Sequence, residues 1–366
     1  MYGVLFHYSK GDVLMYKLLM TSYFLLLVST FAVADIVFVS NRDGKNNIYV
    51  MNDNGSRVRR LTDTQFNIGA PRWSPDGSQI AFHMDLHSTD PDPRKPQQYD
   101  IFIMNADGSN QRRLTDHPKL DVAPSWSPDG EYLTFDSGRS GKVEIYIMEI
   151  ATRNIRQLTQ TDGVDDFVAN PEWSPDGTQI VYEYSKAGHG RHIYIMDVDG
   201  GNARPLLKKL RRGIWGGVIL GFAPSWSPDG KHILYSDSEF VAGRGRVEDS
   251  ILIVDRDSRQ LQALNTPKRW RIEDVRWADD GGAVLFPGIP KGLEEHGRPH
   301  GRPIFKIYKY HLRTGQITNL TDHPSSNTSM DWTPHNALSV SSRKKLAIQW
   351  ARLKTVGSTP FMPTSP

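Results

Sequence analysis

Apolar and polar positions along this chain form short runs that recur in a fixed order. Each of the runs Gln79 to Phe82, Tyr132 to Phe135, Gln179 to Tyr182, His232 to Tyr235 and Ala283 to Phe286 is four residues of alternating or apolar character. A β-rich run follows each, as in Asp100-Ile101-Phe102-Ile103-Met104 and Glu144-Ile145-Tyr146-Ile147-Met148. A further run ends in Leu-Thr at Leu61-Thr62, Leu114-Thr115, Leu158-Thr159 and Leu320-Thr321. Runs of this length bounded by turn residues predict β-strands, because side chains alternate faces along a strand.

A tryptophan followed by a turn punctuates the order. Trp73-Ser74-Pro75-Asp76-Gly77 recurs at Trp126, Trp173 and Trp226, with degenerate copies at Trp277 and Trp332. The spacings are 53, 47, 53, 51 and 55 residues. The turn has a mechanism: proline presets φ near −65° at its second position, and glycine suits its last. Asn105-Ala106-Asp107-Gly108 and Asp197-Val198-Asp199-Gly200 predict the hairpins between third and fourth strands by similar chemistry. Four short strands per period of about 50 residues are the unit of a β-propeller blade.

Counting strands predicts how the ring shuts. With the tryptophan strand named a and the next three b, c and d, six a strands and six b-c-d sets are present. The first b-c-d set, Ile36 to Thr62, precedes the first tryptophan, and the last a strand, at Trp332, is followed by no further set. The expected fold is therefore all-β: a six-bladed β-propeller with four antiparallel strands per blade. Pairing the C-terminal a strand with the N-terminal b-c-d strands closes it and removes the free edges that an open array would expose. Trp73, Trp126, Trp173, Trp226, Trp277 and Trp332 are expected to pack between blades.

The motifs Asn41-Arg42-Asp43-Gly44, Ile48-Tyr49-Val50-Met51-Asn52, Arg60-Leu61-Thr62 and Trp73-Ser74-Pro75-Asp76-Gly77 resemble the propeller repeats of TolB, the periplasmic component of the Tol biopolymer transport system. They are also similar to the propellers of the dipeptidyl-peptidase and prolyl-oligopeptidase families. The resemblance spans about residues 36–336 and implies fold far more than function. TolB itself carries an α/β domain ahead of its propeller, and the peptidases carry a hydrolase domain. Neither a G-x-S-x-G nucleophile elbow nor such a domain is evident here, so the resemblance implies a TolB-like propeller standing alone.

Composition narrows the function. The 366 residues carry 44 basic and 41 acidic side chains, a formal charge of +3 that gives no nucleic-acid footprint. Cysteine is absent, which excludes disulfides, Cys-ligated zinc and a thiol nucleophile. Lys17, the apolar run Leu18 to Ala34 and its Ala32-Val33-Ala34 end predict a signal peptide over residues 1–34, with Met15 the better start and residues 1–14 an over-called one. The propeller is assigned to residues 35–337 and a C-terminal tail to residues 338–366. A periplasmic or secreted location follows, with no stable membrane insertion after cleavage.

Chemistry is expected on the face that carries the irregular d–a and b–c connections, including 85–98, 186–191, 239–249 and 287–303. At the channel mouth the d–a segments offer Asp121, Asp165, Asp166, Asn170, Glu273, Asp274 and Asp331, a polar funnel for a basic peptide, a sugar or a divalent cation. A solvated rim of loops explains the same residues equally well. A second cluster, His83, Asp85, His87, His296 and His300, has the residue types of a metal site. Oligogalacturonate lyases resemble this kind of propeller and use a metal with histidines, yet these spacings match no ligand motif. The basic run Lys208-Lys209-Leu210-Arg211-Arg212 before Trp215 reads as a solvated turn followed by a tucked apolar loop.

These readings point to an exported, non-catalytic propeller that binds a protein or cell-envelope component at its mouth. No cofactor and no nucleic acid are expected, and the chain is expected to be a monomer. The alternative is a metal-dependent polysaccharide lyase or hydrolase built on the histidine loops.

Overall fold

A computed structural model describes residues 35–87, 98–186, 190–207, 218–268, 270–290 and 304–333. The expected signal peptide, the basic run 208–212 with Trp215, His296, His300 and the tail 338–366 lie outside the described residues. The described chain is all-β apart from a single 3₁₀ turn at Asp279–Gly281.

Strands follow the alternating runs. The first set is β1 (Asp35–Ser40), β2 (Asn47–Asn52) and β3 (Arg59–Arg60). A four-stranded sheet follows, β4 (Asn67–Trp73), β5 (Gln79–Asp85), β6 (Tyr99–Asn105) and β7 (Arg112–Arg113). The next is β8 (Asp121–Trp126), β9 (Tyr132–Ser137), β10 (Glu144–Glu149) and β11 (Ile155–Gln157). Then come β12 (Phe167–Trp173), β13 (Gln179–Lys186), β14 (Gly190–Asp197) and β15 (Arg204–Pro205). They are followed by β16 (Val218–Trp226), β17 (His232–Val241), β18 (Gly245–Asp255) and β19 (Leu261–Ala263). One parallel bridge, Arg191 to Leu220, joins these last two sets. In the next sheet the innermost strand is split into β20 (Arg271–Ile272) and β21 (Arg276–Ala278), beside β22 (Ala283–Ile289), β23 (Lys306–His311) and β24 (Ile317–Asn319). The last strand, β25 (Asn327–Trp332), pairs antiparallel with β1, so one sheet runs β25-β1-β2-β3 and draws on both ends of the described chain.

The expected loop 239–249 is instead a hairpin. β17 runs to Val241 and β18 starts at Gly245, with Gly243 and Gly245 at φ 76° and 69° making the turn. The pair of glycines supplies the left-handed conformations that a tight turn needs, so the strands continue where a loop had been expected.

Two side-chain rows hold the sheets. Cross-strand aromatic pairs repeat at one register: Phe38–Tyr49, Phe82–Phe102, Phe135–Tyr146, Tyr182–Tyr194 and Phe286–Tyr308, with centroids 5.6–6.3 Å apart. Each such pair adds about 0.5–1.5 kcal/mol beyond the area it buries. The tryptophans fill the spaces between sheets. Trp73 packs with Val37, Ile48 and Leu61 of the preceding sheet, and Trp126 with Ala81, Ile101 and Leu114. Trp173 meets Ile145 and Leu158, Trp226 meets Val181 and Ile195, and Trp277 meets Leu234 and Leu264. Trp332 lies against a core shared by Ile36 and Phe38 with Leu285 and Ile307.

The Leu-Thr ends have a double use. Their leucines enter these cores, while the threonine hydroxyls accept an N–H near the start of the third strand of each set, at 2.9 Å for Thr62–Ile48, Thr115–Ile101, Thr159–Ile145 and Thr321–Ile307. Hairpin tips then close over the neighbouring leucine. A Cβ on Gly55, Gly108 or Gly200 would stand 2.4 Å from the carbonyl oxygen of Leu320, Leu61 or Leu158, each in the sheet alongside.

That contact separates two glycines with the same backbone. Gly44 and Gly108 have φ 93° and 91°, but a Cβ on Gly44 meets nothing within 4 Å. Gly44→Ala should cost about 1–2 kcal/mol for its backbone alone. Gly108→Ala should cost a further 1–3 kcal/mol or so, because the hairpin must lift from Leu61. Urea unfolding measures both, and equal midpoints would show that the tip does not seat on its neighbour.

Candidate functional site

The inner strands β4, β8, β12, β16, β21 and β25 adjoin one another around a common space. Four of them carry proline two residues before the tryptophan: Pro71, Pro124, Pro171 and Pro224. A proline lacks the N–H for a ladder, so it is tolerated in a strand only where the pairing is already interrupted. Here the residue before each proline supplies the interruption. Ala70, Ala123, Asn170 and Ala223 sit at φ 46–53°, and the register slips at each. Ser329 in β25 takes the same conformation at φ 44°. A bulge of this kind frees a backbone N–H from its own sheet.

Neighbouring sheets capture the freed groups. His83 Nδ1 accepts from Ala123 N at 3.3 Å, Asp136 Oδ2 from Asn170 N at 3.1 Å, and Glu183 Oε1 from Ala223 N at 2.7 Å. These side chains occupy one register on β5, β9 and β13, facing inward beside the next sheet. His83 fits because Gly69 has no side chain: a Cβ there would stand 2.5 Å from His83 Nε2.

Residues just before the tryptophans form a second layer: Arg72, Ser125, Glu172, Ser225, Arg276 and Asp331. With Trp73, Trp126, Trp226, Trp277 and Trp332 they line a cavity of about 260 Å³. Asp331 accepts from Trp73 N at 2.8 Å and Glu172 from Trp226 N at 2.7 Å, each across to another sheet. Trp126 Nε1 donates to Arg72 O and Trp277 Nε1 to Ser225 O. Burial raises the carboxyls of Glu172 and Asp331 against the pull of Arg72 and Arg276. Burial also lowers Arg72, with Arg276 adding to the effect. For Arg276 burial acts downward, but Asp274, Glu172 and Asp331 outweigh it and raise the guanidinium. The layer is a network of compensated charges that ties inner strands together.

Arg72 and Arg276 also border a second cavity of about 420 Å³. It is lined by Ala70, His83, Val122, Asp136, Asn170, Glu183, Phe222, Glu273, Asp274 and Pro287 among others. Three of the expected mouth residues, Asn170, Glu273 and Asp274, border this cavity, and Asp331 borders the other. Asp121 and Asp166 take a different place. Asp121 is wholly buried and held by both Oδ atoms at 3.0 Å from Arg139 Nη2. Asp166 is buried, and its Oδ2 accepts from Tyr184 OH at 3.0 Å. Sequence position put both on the rim by reading each as just ahead of an inner strand, but Asp121 is the first residue of β8 and both side chains are buried. Asp165 is exposed.

The expected metal cluster is divided. His83 lies inside, Asp85 is buried with Oδ1 accepting from His87 N and Gln98 N, and His87 is exposed. Among the described residues no three His, Asp or Glu side chains come together as a metal site. His296 and His300 lie outside the described residues.

Sequence reasoning missed Asp136 and Glu183, and of the rim loop 161–166 it took Asp165 and Asp166 but not the apolar tip Val164. The x-Pro-x-Trp pattern at four repeats was the available signal for the bulges, and the polar residue ending the inner part of each b strand was the signal for their partners. The rim loop is fixed from below: Lys142 Nζ donates to Thr161 O at 3.0 Å and Gly163 O at 2.8 Å. Its tip, Val164, is 88% exposed between exposed Asp162 and Asp165.

Comparison with known proteins places the whole. Residues 67–278, well over half of the chain, match the family model described as the TolB beta propeller domain. The Tol-Pal system protein TolB of Francisella tularensis is 29% identical over 238 residues, covering 64% of this chain and 48% of its own length. Dipeptidyl-peptidase 5 of Porphyromonas endodontalis is 23% identical, covering 72% of this chain and 36% of the peptidase. This chain thus spans about half or less of those curated relatives. The crystal structure of TolB from Acinetobacter baumannii matches with a TM-score of 0.64 at 20% identity, covering 82% of this chain and 67% of that one, which is likeness of fold.

The inner layer predicts a pH response. Burial, with Arg72 nearby, lowers His83 from 6.5 to about 4, so the folded protein holds it neutral. The stability this contributes is present above pH 6.5 and is lost as pH falls toward 4. The raised carboxyls Asp136, Glu172, Glu183 and Asp331 act in the opposite sense, but they are common to wild type and a His83→Gln variant. Between neutral pH and the lower end of that window, wild type should lose about 3 kcal/mol relative to the variant. Denaturation curves recorded across the window test this, and parallel pH profiles would mean that His83 is not held neutral.

Proposed function

Since the chain belongs to the TolB beta propeller domain family, we propose that it is an exported, non-catalytic binding module that engages a protein or cell-envelope partner at the mouth of a closed, six-bladed ring. Closure is supported by the β25–β1 pairing and by the core in which Ile36 and Phe38 meet Leu285 and Ile307. It is supported as well by the contacts that run from one inner strand to the next and return from β25 to β4. A periplasmic site of action fits the apolar run 18–34 and the relation to a Tol-Pal system protein. Among the described residues no helix is long and apolar enough to cross a membrane.

The observation that carries the binding reading is the rim loop at the start of β12. A large apolar side chain exposed to 88%, flanked by two exposed carboxylates and anchored by Lys142, is a prepaid contact surface: its backbone is already ordered before a partner arrives. Most inward carboxylates meanwhile hold backbone N–H groups or arginines, which supports a structural part for them. The reading as a metal-dependent polysaccharide lyase or hydrolase draws no support from His83, which is engaged with Ala123 N.

Two experiments follow. Propeller immobilised as bait against its native envelope fraction should retain a saturable partner. The double change Val164→Asp, Asp165→Lys should weaken retention by about tenfold or more. Lys231→Glu, on an exposed turn at the other end of the sheets, should have no effect. Equal retention by all three proteins would remove the mouth as the binding site. For the ring, deleting residues from Asn327 onward strips β1 of β25 and exposes a long edge, so the protein should aggregate or lose cooperative unfolding. A truncated monomer with unchanged melting would rule out closure through β25.

A further inference from the structure

Asp136 stands apart among the side chains of the larger cavity. It is 3% exposed; Oδ2 accepts from Asn170 N, while Oδ1 is buried and meets no donor. Its counterparts on either side are satisfied. His83 serves Ala123 N as a neutral ring, and Glu183 takes Ala223 N, Asn170 Nδ2 and Arg191 Nη1. The other carboxylates lining the cavity have basic partners as well: Asp274 meets Arg276 at 3.2 Å and Glu273 meets Arg271 at 2.9 Å. A carboxylate buried without a cation or a second donor costs stability, and an asparagine could accept from Asn170 N equally well. The charge at this position is therefore not required by the fold.

We propose that Asp136 receives the cationic head of a basic side chain, an alkylguanidinium or alkylammonium, presented by an extended segment of the partner. This deepens the reading of the mouth as a binding site and rests on it. The cavity, about 420 Å³, has room for one such side chain with its neighbouring backbone. Val122, Phe222 and Pro287 line it and offer an apolar wall for the aliphatic stem. The fixed cations there are already committed: Arg276 to Asp274, and Arg72 to the carbonyls of Pro71 and Met330 at 2.9 and 3.4 Å. His83, Glu183, Glu273, Asp274, Arg72 and Arg276 are the titratable or charged groups that share the space with Asp136.

Burial, with Glu183 adding to it and the Asn170 N–H opposing, holds the Asp136 carboxyl well above the usual range. An arriving cation favours the ionised form, so the proton that Asp136 carries in the empty cavity leaves to solvent as the cation enters.

The test uses the full chain and two blocked peptides, acetyl-Gly-Arg-Gly-Gly-amide and the same sequence with citrulline, a neutral isostere of arginine. Calorimetry in two buffers of different ionisation enthalpy should show the arginine peptide binding with proton release, and the citrulline peptide at least about tenfold weaker. Asp136→Asn should reduce arginine-peptide affinity by a similar factor, abolish the proton release, and melt at the same temperature or higher. Free arginine amide binding as tightly as the peptide would transfer the site to a small-molecule amine and overturn the peptide assignment. Failure of the arginine peptide to bind, a response to Ca²⁺ alone, or an Asp136→Asn protein that melts lower while binding as wild type does would each overturn the proposal. An Asp136→Asn bait that retains the envelope partner undiminished would overturn it too, yet leave the mouth reading standing. Retention insensitive to the Val164 and Asp165 changes would remove that reading instead.

Discussion

A bulge in each of five inner strands places a backbone N–H where its own sheet cannot use it, and an unmet N–H in a closed interior is costly. Three of these groups are taken by a side chain of the sheet before, His83, Asp136 or Glu183. A single constraint thereby settles several features at once. It fixes the register between sheets and admits proline into the strand. It also explains why ionisable residues sit at a position that faces the inside of the molecule. The hydrophobic cores between sheets supply most of the stabilisation, but they are non-directional and would tolerate small slips. The directional bonds at the bulges do not.

The charged layer one step further along the strands works by the same logic. Glu172 and Asp331 each reach across to the backbone of a tryptophan in another sheet, and Arg276 stands among Glu172, Asp274 and Asp331. Most of the acidic character of the inner space is consumed in holding it together. The proposed recognition draws on two features outside that network: the exposed rim loop around Val164, and the oxygen of Asp136 left without a donor. A buried carboxylate oxygen without a donor, set in a scaffold of repeated bonds, is a group that calls for an explanation beyond the frame itself.

The sequence placed candidate residues by their distance from a strand, and that is too coarse for side chains at a strand end. Asp121 begins an inner strand and Asp166 lies next to one, yet the first is paired with Arg139 and the other is bonded to Tyr184, so neither is a free rim carboxylate. Asp331, expected at the mouth, belongs to the tryptophan layer because it immediately precedes Trp332 on the face opposite the inter-sheet core. His83 and His87 are four residues apart, but one is enclosed behind Gly69 and the other is exposed. In each case the alternation of faces along a strand decides the outcome, and a loop boundary misread by one or two residues reverses it.

By itself the sequence determined the strand runs, their grouping by fours, the tight Ser-Pro-Asp-Gly turns and the inter-sheet place of the tryptophans. All of these follow from local rules: the period-2 alternation of faces, the fixed φ of proline and the positive φ open to glycine. Only the tertiary structure decided why Gly55, Gly108 and Gly200 must be glycine, because the obstacle is a leucine carbonyl in another sheet. It alone showed that Asp136 holds a backbone N–H with one carboxylate oxygen and leaves the other without a donor. The physical reason is that the partner of a buried polar group is chosen by proximity in space, and across this fold those partners lie about 40 residues apart or, where β25 meets β4, more than 250.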